Sequence, residues 1–387
     1  MTTTRRADID NLRSAATYLL VAFHTAKVYD YSPFYHLKNS ASFQGFDVFT
    51  GFVHQWHMPL FFVLAGWSMA AALQARDGTE IRAERRQRLL VPLIVWSVVA
   101  CPWIAWIEAS HIHHVHQTFW HFLPSFFGPR FTWSQLWFLA YLFTFSLLYL
   151  KRFERLTRGA DRDFTDRDLR RFVLVMIGIQ VGLRWAWPGF QNLVWDWANF
   201  AYYSMFFIAG FYWGRFPGVA ELVDRRRNTM GWIGLAASAA MLPFWLRLVV
   251  VEDFGDWRGY LAYNVLSALA GVGLVIAILG WARRHFAGEG PLPRWTRANA
   301  YGVYLLHQIC VVAAATAVVR TTWPIAVKFT VTLVAATAAT VALNEVLRRW
   351  KWLAPAFGER ASSSRLGRSP RWRRRAPGRT PRRTAVP

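Results

Sequence analysis

Long apolar stretches recur along the whole chain, and they constrain its fold more than any other feature of the sequence. Ten of them approach the roughly 20 residues that an α-helix needs to cross the ~30 Å hydrocarbon core of a bilayer. We predict spans at 12–29, 55–73, 90–107, 134–150, 172–187, 198–214, 230–251, 259–282, 299–319 and 324–347. Of all residues, 54% are hydrophobic and only 17% are charged, which is below the ~25% charge of typical soluble domains. The sequence therefore predicts an all-α integral membrane protein with about ten transmembrane helices.

The distribution of basic residues predicts how these helices are oriented. The chain has 45 Lys and Arg against 22 Asp and Glu, a net charge of +23. Most of the basic residues lie before the first span, in every second loop and after the last span. Because Lys and Arg concentrate in cytoplasmic loops, we expect a multi-pass protein of the cytoplasmic membrane with both termini in the cytoplasm. Topology and membrane lipids account for the charge, so nucleic acid is not an expected partner.

The first apolar stretch has one feature of a signal peptide, since it follows Arg5 and Arg6. Against that interpretation, Arg13, His24 and Lys27 interrupt the stretch. We therefore expect it to be retained as the first span.

The end of the chain differs in composition from the rest. We divide the protein into a transmembrane domain, 1–352, and an Arg/Pro-rich cytoplasmic tail, 353–387, whose few apolar residues predict disorder. The tail either binds anionic lipid headgroups or is only a solvated segment that fixes topology. Cys101 and Cys310 both fall within predicted spans, so no disulfide framework is expected.

Two ionisable residues share one face of the first span. From Arg13 to His24 is eleven positions, about three helical turns and roughly 16 Å along the axis. Charged groups in hydrocarbon are costly and usually face a protein interior or a wet cavity. The pair suits a path entered from the cytoplasm, with a fixed cation at its mouth and a titratable group deeper in. The alternative is a snorkelling arginine and a hydrogen-bonded core histidine.

Histidines also mark the start of the second predicted span. His54 and His57 lie three positions apart, at the expected outer boundary, and Pro59 suits the first turn of a helix. We assign His57 to the substrate cavity.

The third span follows a basic cluster, "RAERRQRLLVPL". Arg85 and Arg88 lie just before the apolar residues, and arginine forks match the geometry of phosphate groups. The cluster either binds a phosphorylated ligand or only fixes topology.

The second outer loop is rich in histidine, but its spacing matches no defined metal-ligand pattern. We expect no metal there and favour a polar loop that, together with the first loop, helps to admit a polar substrate. The residues concerned are His111, His113, His114, His116 and His121, with His36, Lys38 and Asp47 in the first loop.

Five motifs occur in order on the predicted spans: "DIDNLRSAATYLLVAFH", "HMPLFFVLAGW", "RRQRLLVPL", "LWFLAYL" and "YGVYLLHQ". Together they resemble the membrane-bound acyltransferase 3 family, and within it the glucan biosynthesis protein C branch. The resemblance implies transfer of an acyl group, acetyl or succinyl, from cytoplasmic acyl-CoA to a hydroxyl of a glycan or lipid-linked sugar at the outer face. It implies no permanently bound cofactor.

The resemblance also implies roles for single residues. His24 is implied as the catalytic group, with Arg13 beside it, and Arg85 and Arg88 as the coenzyme side. Many relatives have a histidine where this chain has Gln135, which can form hydrogen bonds but cannot take up a proton.

The chemistry of acyl transfer agrees with these roles. The reaction needs a base for the hydroxyl and donors for the oxyanion. Burial favours a neutral imidazole that can accept a proton, so we assign His24 as the base. Tyr304 and His307, one turn apart in the ninth span, are expected to line the same cavity or to make structural hydrogen bonds. Gln135 and Trp137 are also assigned to the cavity.

Two other classes compete with an O-acyltransferase. A transporter or flippase for a sugar or lipid usually places Asp or Glu inside spans, whereas Asp10, Asp47, Asp196 and Glu345 lie at or near span ends. A membrane scaffold would need neither the register of Arg13 with His24 nor the arginine cluster.

Overall fold

The computed structural model describes residues 6–189, 191–246 and 257–359 of the chain, and within these ranges all regular structure is helical. Helices α1 to α15 are Ala7–Tyr29, Gln44–Ala75, Gly78–Arg85, Val91–Val99, Cys101–His111, Phe119–Phe126, Trp137–Leu148, Leu150–Arg158, Asp166–Arg184, Trp197–Arg215, Pro217–Ala240, Leu242–Trp245, Trp257–His285, Pro291–Val318 and Ile325–Arg349. A π-helical turn and two 3₁₀ segments complete the set: Arg86–Leu90, Ser134–Leu136 and Lys351–Phe357.

Four helices are long and apolar enough to cross a membrane, namely α2, α13, α14 and α15. The number rises to six if each of two bent helix pairs, α3–α4 with α5 and α7 with α8, counts as one span. These findings support a helical multi-pass membrane protein. The expected ten spans and the cytoplasmic termini remain predictions.

The second span begins earlier than the sequence predicted. Helix α2 starts at Gln44, so Pro59 lies inside the helix and not in its first turn. The residues before His54 include polar side chains such as Asp47 and Thr50, which are typical of a loop. They line an internal cavity instead, and this explains why hydropathy alone placed the start too late.

Two segments expected to be loops are helical extensions of spans. Helix α11 begins at Pro217 and α14 at Pro291, each with proline in the first turn, where its missing N–H costs nothing. The predicted seventh span, 230–251, therefore covers only part of α11, and its last residues, 247–251, lie outside the described part of the chain.

The third predicted span is bent. Helices α4 and α5 meet at an angle of 41°, and α5 has Pro102 in its first turn. Proline cannot donate a backbone hydrogen bond to the preceding turn, a common cause of helix kinks. The bend directs the end of α5, which carries Glu108, toward the segment that joins α1 and α2.

Local sequence signals fix several helix starts. Asp77 caps α3 by accepting hydrogen bonds from the backbone of Thr79 and Glu80 at 2.8 and 2.9 Å. Thr165 and Asp168 form a reciprocal capping box at α9.

Close helix contacts depend on glycine. A Cβ atom on Gly66 of α2 would lie 2.0 Å from the carbonyl oxygen of Phe207 in α10, and one on Gly210 would lie 2.0 Å from that of Val63. Gly273 of α13 approaches α11 in the same way: a Cβ atom added to Gly273 would lie 2.5 Å from the carbonyl oxygen of Met230. Small residues at such crossings let membrane helices pack through close van der Waals contact.

The packed part of the chain extends past the predicted domain boundary at residue 352. In the 3₁₀ segment Lys351–Phe357, Phe357 is buried, and Trp96 of α4 donates a 2.9 Å hydrogen bond to the carbonyl of Ala356. Order through Glu359 thus corrects the expectation of a disordered tail from residue 353. The remainder of the predicted tail, 360–387, lies outside the described residues.

Candidate active site

Helices α1, α2, α7 and α14 and the segment 30–43 enclose a cavity of about 780 Å³. Five residues that the sequence assigned to the site line this cavity: His24, Gln135, Trp137, Tyr304 and His307. Three separate parts of the chain supply them. The fold therefore brings together residues that are far apart in the sequence.

Two histidines face each other at the cavity wall. The ring centroids of His24 and His307 are 5.1 Å apart. His307 Nδ1 lies 2.7 Å from the carbonyl oxygen of Tyr304; because a carbonyl only accepts, Nδ1 carries the proton and Nε2 is left as an acceptor. His307 Nε2 and His24 Nδ1 are both buried and have no protein hydrogen-bond partner in the described part of the chain. Each is available to a ligand.

Further polar atoms beside the histidines are also unpaired. Gln135 donates to the carbonyl of Leu305 at 3.2 Å, while its Oε1 is buried without a partner among the described residues. The Tyr35 hydroxyl is also buried without a hydrogen-bond partner among the described residues. Burial, with the nearby carboxylate of Asp30, raises the pKa of Tyr35 well above its usual range, so this hydroxyl stays protonated and can donate. Buried polar groups are normally paired, and this concentration of unpaired ones indicates a ligand site.

His57 does not line the cavity, contrary to the sequence-based assignment. Its ring is 2% exposed, and Nε2 lies 2.7 Å from the carbonyl oxygen of Ala16, where it joins α2 to α1. His54 lies on the cavity wall instead. Three residues turn a helix by about 300°, so the two rings diverge enough for one to face the cavity and the other to face α1.

An ionic cluster at the C-terminal end of α1 was not predicted from the sequence. The Asp30 carboxylate, 1% exposed, lies 2.8 Å from Lys27 Nζ and 2.6 Å from Lys38 Nζ. The cluster attaches the segment 30–43 to α1 and so holds that part of the cavity wall in place. The i,i+3 spacing of Lys27 and Asp30 was the available signal, but nothing in the local sequence indicated that Lys38 would join them.

The His-rich loop remains apart from this site. His113, His114 and His116 are exposed, and within the described ranges no group of three His, Cys, Asp or Glu side chains lies close enough to hold a metal ion.

Arg13 lies away from the cavity, near the N-terminal end of α1. Its guanidinium donates a 2.7 Å hydrogen bond to the Ser68 hydroxyl and lies 3.3 Å from Asp10. About a third of its side-chain surface, 36%, is accessible.

Arg85 lies within electrostatic range of Arg13. Its Nε is buried without a protein partner in the described structure, and its nearest polar contact is Met69 Sδ at 3.7 Å. Arg88, by contrast, has a side chain 65% exposed and pairs with Glu84 at 3.3 Å. Arg85 is therefore the less exposed of the two arginine residues, and Arg88 lies at the surface.

Apolar helices around a cavity lined by two histidines, each with one unpaired ring nitrogen, define a helical membrane protein with a site suited to acid–base chemistry. A family model described as an acyltransferase domain matches residues 6–345. Because this match covers most of the chain, the protein belongs to the acyltransferase 3 family, which supports its assignment as a membrane acyltransferase. No curated protein and no solved structure matches the chain significantly.

Proposed function

We propose that this protein is an O-acyltransferase that moves an acyl group from cytoplasmic acyl-CoA to a hydroxyl of a glycan or lipid-linked sugar at the outer face of the membrane. The observation that carries the proposal is the pair of histidines, His24 and His307, with unpaired ring nitrogens at the wall of one cavity. A thioester and an alcohol need such a proton acceptor between them.

His24 acts as the base in this proposal. It takes the proton from the acceptor hydroxyl, whose oxygen attacks the thioester carbonyl. The new C–O bond forms, the C–S bond breaks, and the coenzyme leaves as a thiolate that takes up the proton from His24. The Tyr35 hydroxyl, which stays protonated, is placed to stabilise the oxyanion.

The arginine residues at the other end of α1 hold the coenzyme. Arg13 and Arg85, with Arg88 at the surface, offer guanidinium groups to its phosphates. Eleven residues separate Arg13 from His24, roughly 16 Å along the helix, and an extended pantetheine arm can bridge a distance of this order. This arrangement requires the N-terminal end of α1 to face the cytoplasm, as the positive charges predict.

The cavity suits a sugar acceptor. Its volume of about 780 Å³ lies within the range of small-molecule sites, ~300–1,000 Å³, and its unpaired polar atoms suit hydroxyl groups. The resemblance to the glucan biosynthesis protein C branch favours a glycan, with acetyl or succinyl as the group transferred.

The test uses proteoliposomes supplied with radiolabelled acetyl-CoA or succinyl-CoA, and mass analysis of surface carbohydrates from cells with and without the protein. We expect one of the two acyl groups to appear as an ester on a surface carbohydrate only when the protein is present. Unacylated sugar crossing the vesicle membrane without acyl-CoA would instead support the transporter alternative.

A further inference from the structure

Three residues outside the proposed proton-transfer site are joined in a chain of hydrogen bonds. His36, in the segment between α1 and α2, lies 2.5 Å from Glu108 through Nδ1 and 3.2 Å from Ser134 through Nε2. Glu108 comes from the end of α5, and Ser134 begins the 3₁₀ turn before α7. The arrangement carboxylate, imidazole, hydroxyl is the one that activates a nucleophilic serine.

The hydrogen-bond partners fix the direction of proton transfer. The Glu108 carboxylate only accepts, so His36 Nδ1 carries a proton, and in the neutral ring that acts as a base Nε2 is the acceptor. The Ser134 hydroxyl therefore donates to Nε2, which is the direction needed to remove its proton. Glu108 orients the ring and stabilises the imidazolium that would form.

The backbone at Ser134 is strained, and the residue faces the cavity. Its φ is +44°, a left-handed conformation that residues other than glycine seldom adopt. Such strain concentrates at functional sites, and a nucleophilic serine on a strained turn before a helix is one recognised form of it. Both Ser134 and His36 line the same cavity as His24.

The two groups of residues are neighbours within that cavity. Tyr35 stacks on His24 with ring centroids 5.9 Å apart, and His36 lies 5.2 Å from Tyr35 by the same measure. An acyl group held on Ser134 would therefore lie in the same cavity as His24, the base of the proposed reaction.

We propose that Ser134, His36 and Glu108 form a catalytic triad that carries the acyl group as a serine ester between the thioester and the acceptor. This inference rests on the proposed function and deepens it: the direct attack on the thioester is divided into two half-reactions, with His36 as the base of the first and His24 as the base of the second. In the first half-reaction Ser134 Oγ gives its proton to His36 Nε2 and attacks the thioester. The C–O bond forms, the C–S bond breaks, and the leaving thiolate takes the proton from His36.

In the second half-reaction the acceptor hydroxyl gives its proton to His24 and attacks the acyl-serine carbonyl. The new ester bond forms and the bond to Ser134 Oγ breaks. The serine oxygen regains a proton from the imidazolium of His24 by way of water in the cavity. Both residues then return to their starting states.

The first experiment tests the nucleophile without any acyl donor. The purified full-length protein in detergent is treated with a fluorophosphonate probe, and the labelled peptide is identified by mass spectrometry. We expect label on Ser134, complete loss in Ser134→Ala, and a fall of about 100-fold in the labelling rate of His36→Ala, partly restored by added imidazole. Ser125→Ala, in which the lost hydroxyl bonds only its own helix, is the matched control and should label normally.

Glu108 acts through His36, so its test needs a conservative variant. Glu108→Gln keeps the shape but loses the charge and should slow labelling, whereas Glu108→Asp should retain part of the rate. His285 is exposed at the C-terminal end of α13, and His285→Ala should leave labelling unchanged. Failure of the probe to label Ser134 in the folded wild-type protein would overturn the triad.

The second experiment separates this inference from the proposed function. Rapid quenching of the wild-type protein with radiolabelled acyl-CoA should trap an acyl group on the peptide that contains Ser134, and His24→Ala should accumulate it because discharge is blocked. Normal acyl transfer by Ser134→Ala would refute the serine ester even if His24 proved essential. If neither acyl-CoA is a donor, the proposed function fails, and the fluorophosphonate result still decides whether Ser134 is a nucleophile.

Discussion

At the scale of single residues, the site depends on atoms that the fold buries without pairing them. His24 and Arg13 belong to one helix and share a face, but their surroundings differ. Arg13 is held by Ser68 and Asp10, whereas His24 Nδ1 has no protein partner in the described ranges. A fully paired histidine would favour a structural role, and the free ring nitrogen favours a chemical one.

The first prediction concerns His24. His24→Ala should insert and fold normally but lower acyl transfer by about 100-fold or more, because general-base catalysis typically contributes that much. Transfer of labelled acyl groups in proteoliposomes measures this, with His285→Ala, an exposed histidine at the end of α13, as the control variant. Turnover near the wild-type rate in His24→Ala would remove His24 from the mechanism.

The second prediction ranks the two arginine residues. Arg85→Gln should weaken acyl-CoA binding by about tenfold, since it removes a charged hydrogen-bonding group from a buried position. Arg88→Gln should have a smaller effect, because Arg88 is largely exposed and already paired with Glu84. Calorimetric titration in detergent gives both affinities, and Arg152→Gln on the exposed surface of α8 is the control. Equal affinities for Arg85→Gln and the wild type would contradict this assignment.

At the scale of helices, the glycine contacts between α2 and α10 determine how closely the cavity wall is packed. A Cβ atom added to Gly66 or Gly210 would meet backbone atoms of the facing helix. Backbone atoms cannot rotate away as the end of a side chain can. The helices would have to separate to admit a methyl group. Such a shift would also move His54 and Gln55, which lie on α2 at the cavity.

The third prediction follows from this contact. Gly210→Ala should destabilise the protein by about 1–3 kcal/mol, the usual cost of overpacking. Gly178→Ala is the matched control, since nothing lies within 4 Å of its built Cβ, and it should be neutral or stabilising by up to about 1 kcal/mol through helix propensity. The apparent unfolding temperature in detergent compares the two. A Gly210→Ala protein as stable as wild type would show that the crossing is looser than the structure indicates.

At the scale of the whole molecule, the fold joins two chemically distinct regions along α1. Arginine residues gather near its N-terminal end, and the histidine cavity lies toward its C-terminal end. A charged donor and a neutral acceptor from opposite sides of a membrane need this kind of separation. This separation serves acyl transfer across the membrane only if the two ends of α1 face different compartments.

The fourth prediction tests that orientation. His116→Cys should react with a membrane-impermeant maleimide in intact cells, and Asp163→Cys should react only after the membrane is opened. Both side chains are exposed, and the native Cys101 and Cys310 are buried, so the added thiols dominate the signal. The reverse pattern of labelling would place the termini outside and contradict the cytoplasmic acyl-CoA site.

The sequence by itself determined the class of structure and several local features. Apolar length and composition fix a helical membrane protein, because an unpaired backbone cannot cross hydrocarbon. Helical spacing alone placed Arg13 and His24 on one face, and short motifs indicated the family that the match over residues 6–345 shows. These properties depend on residues that lie within a few helical turns of one another, and such residues can be read directly from the sequence.

Only the tertiary structure decided which distant side chains meet. His36 is separated from Glu108 by 72 positions and from Ser134 by 98, and nothing in local periodicity brings them together. Helix crossings and the bend between α4 and α5 do so. The packing of α1 against α2 likewise decides that His54 lies at the cavity wall while His57 contacts α1. Hydropathy averages over all faces of a helix, whereas contact depends on one face and on the partner packed against it.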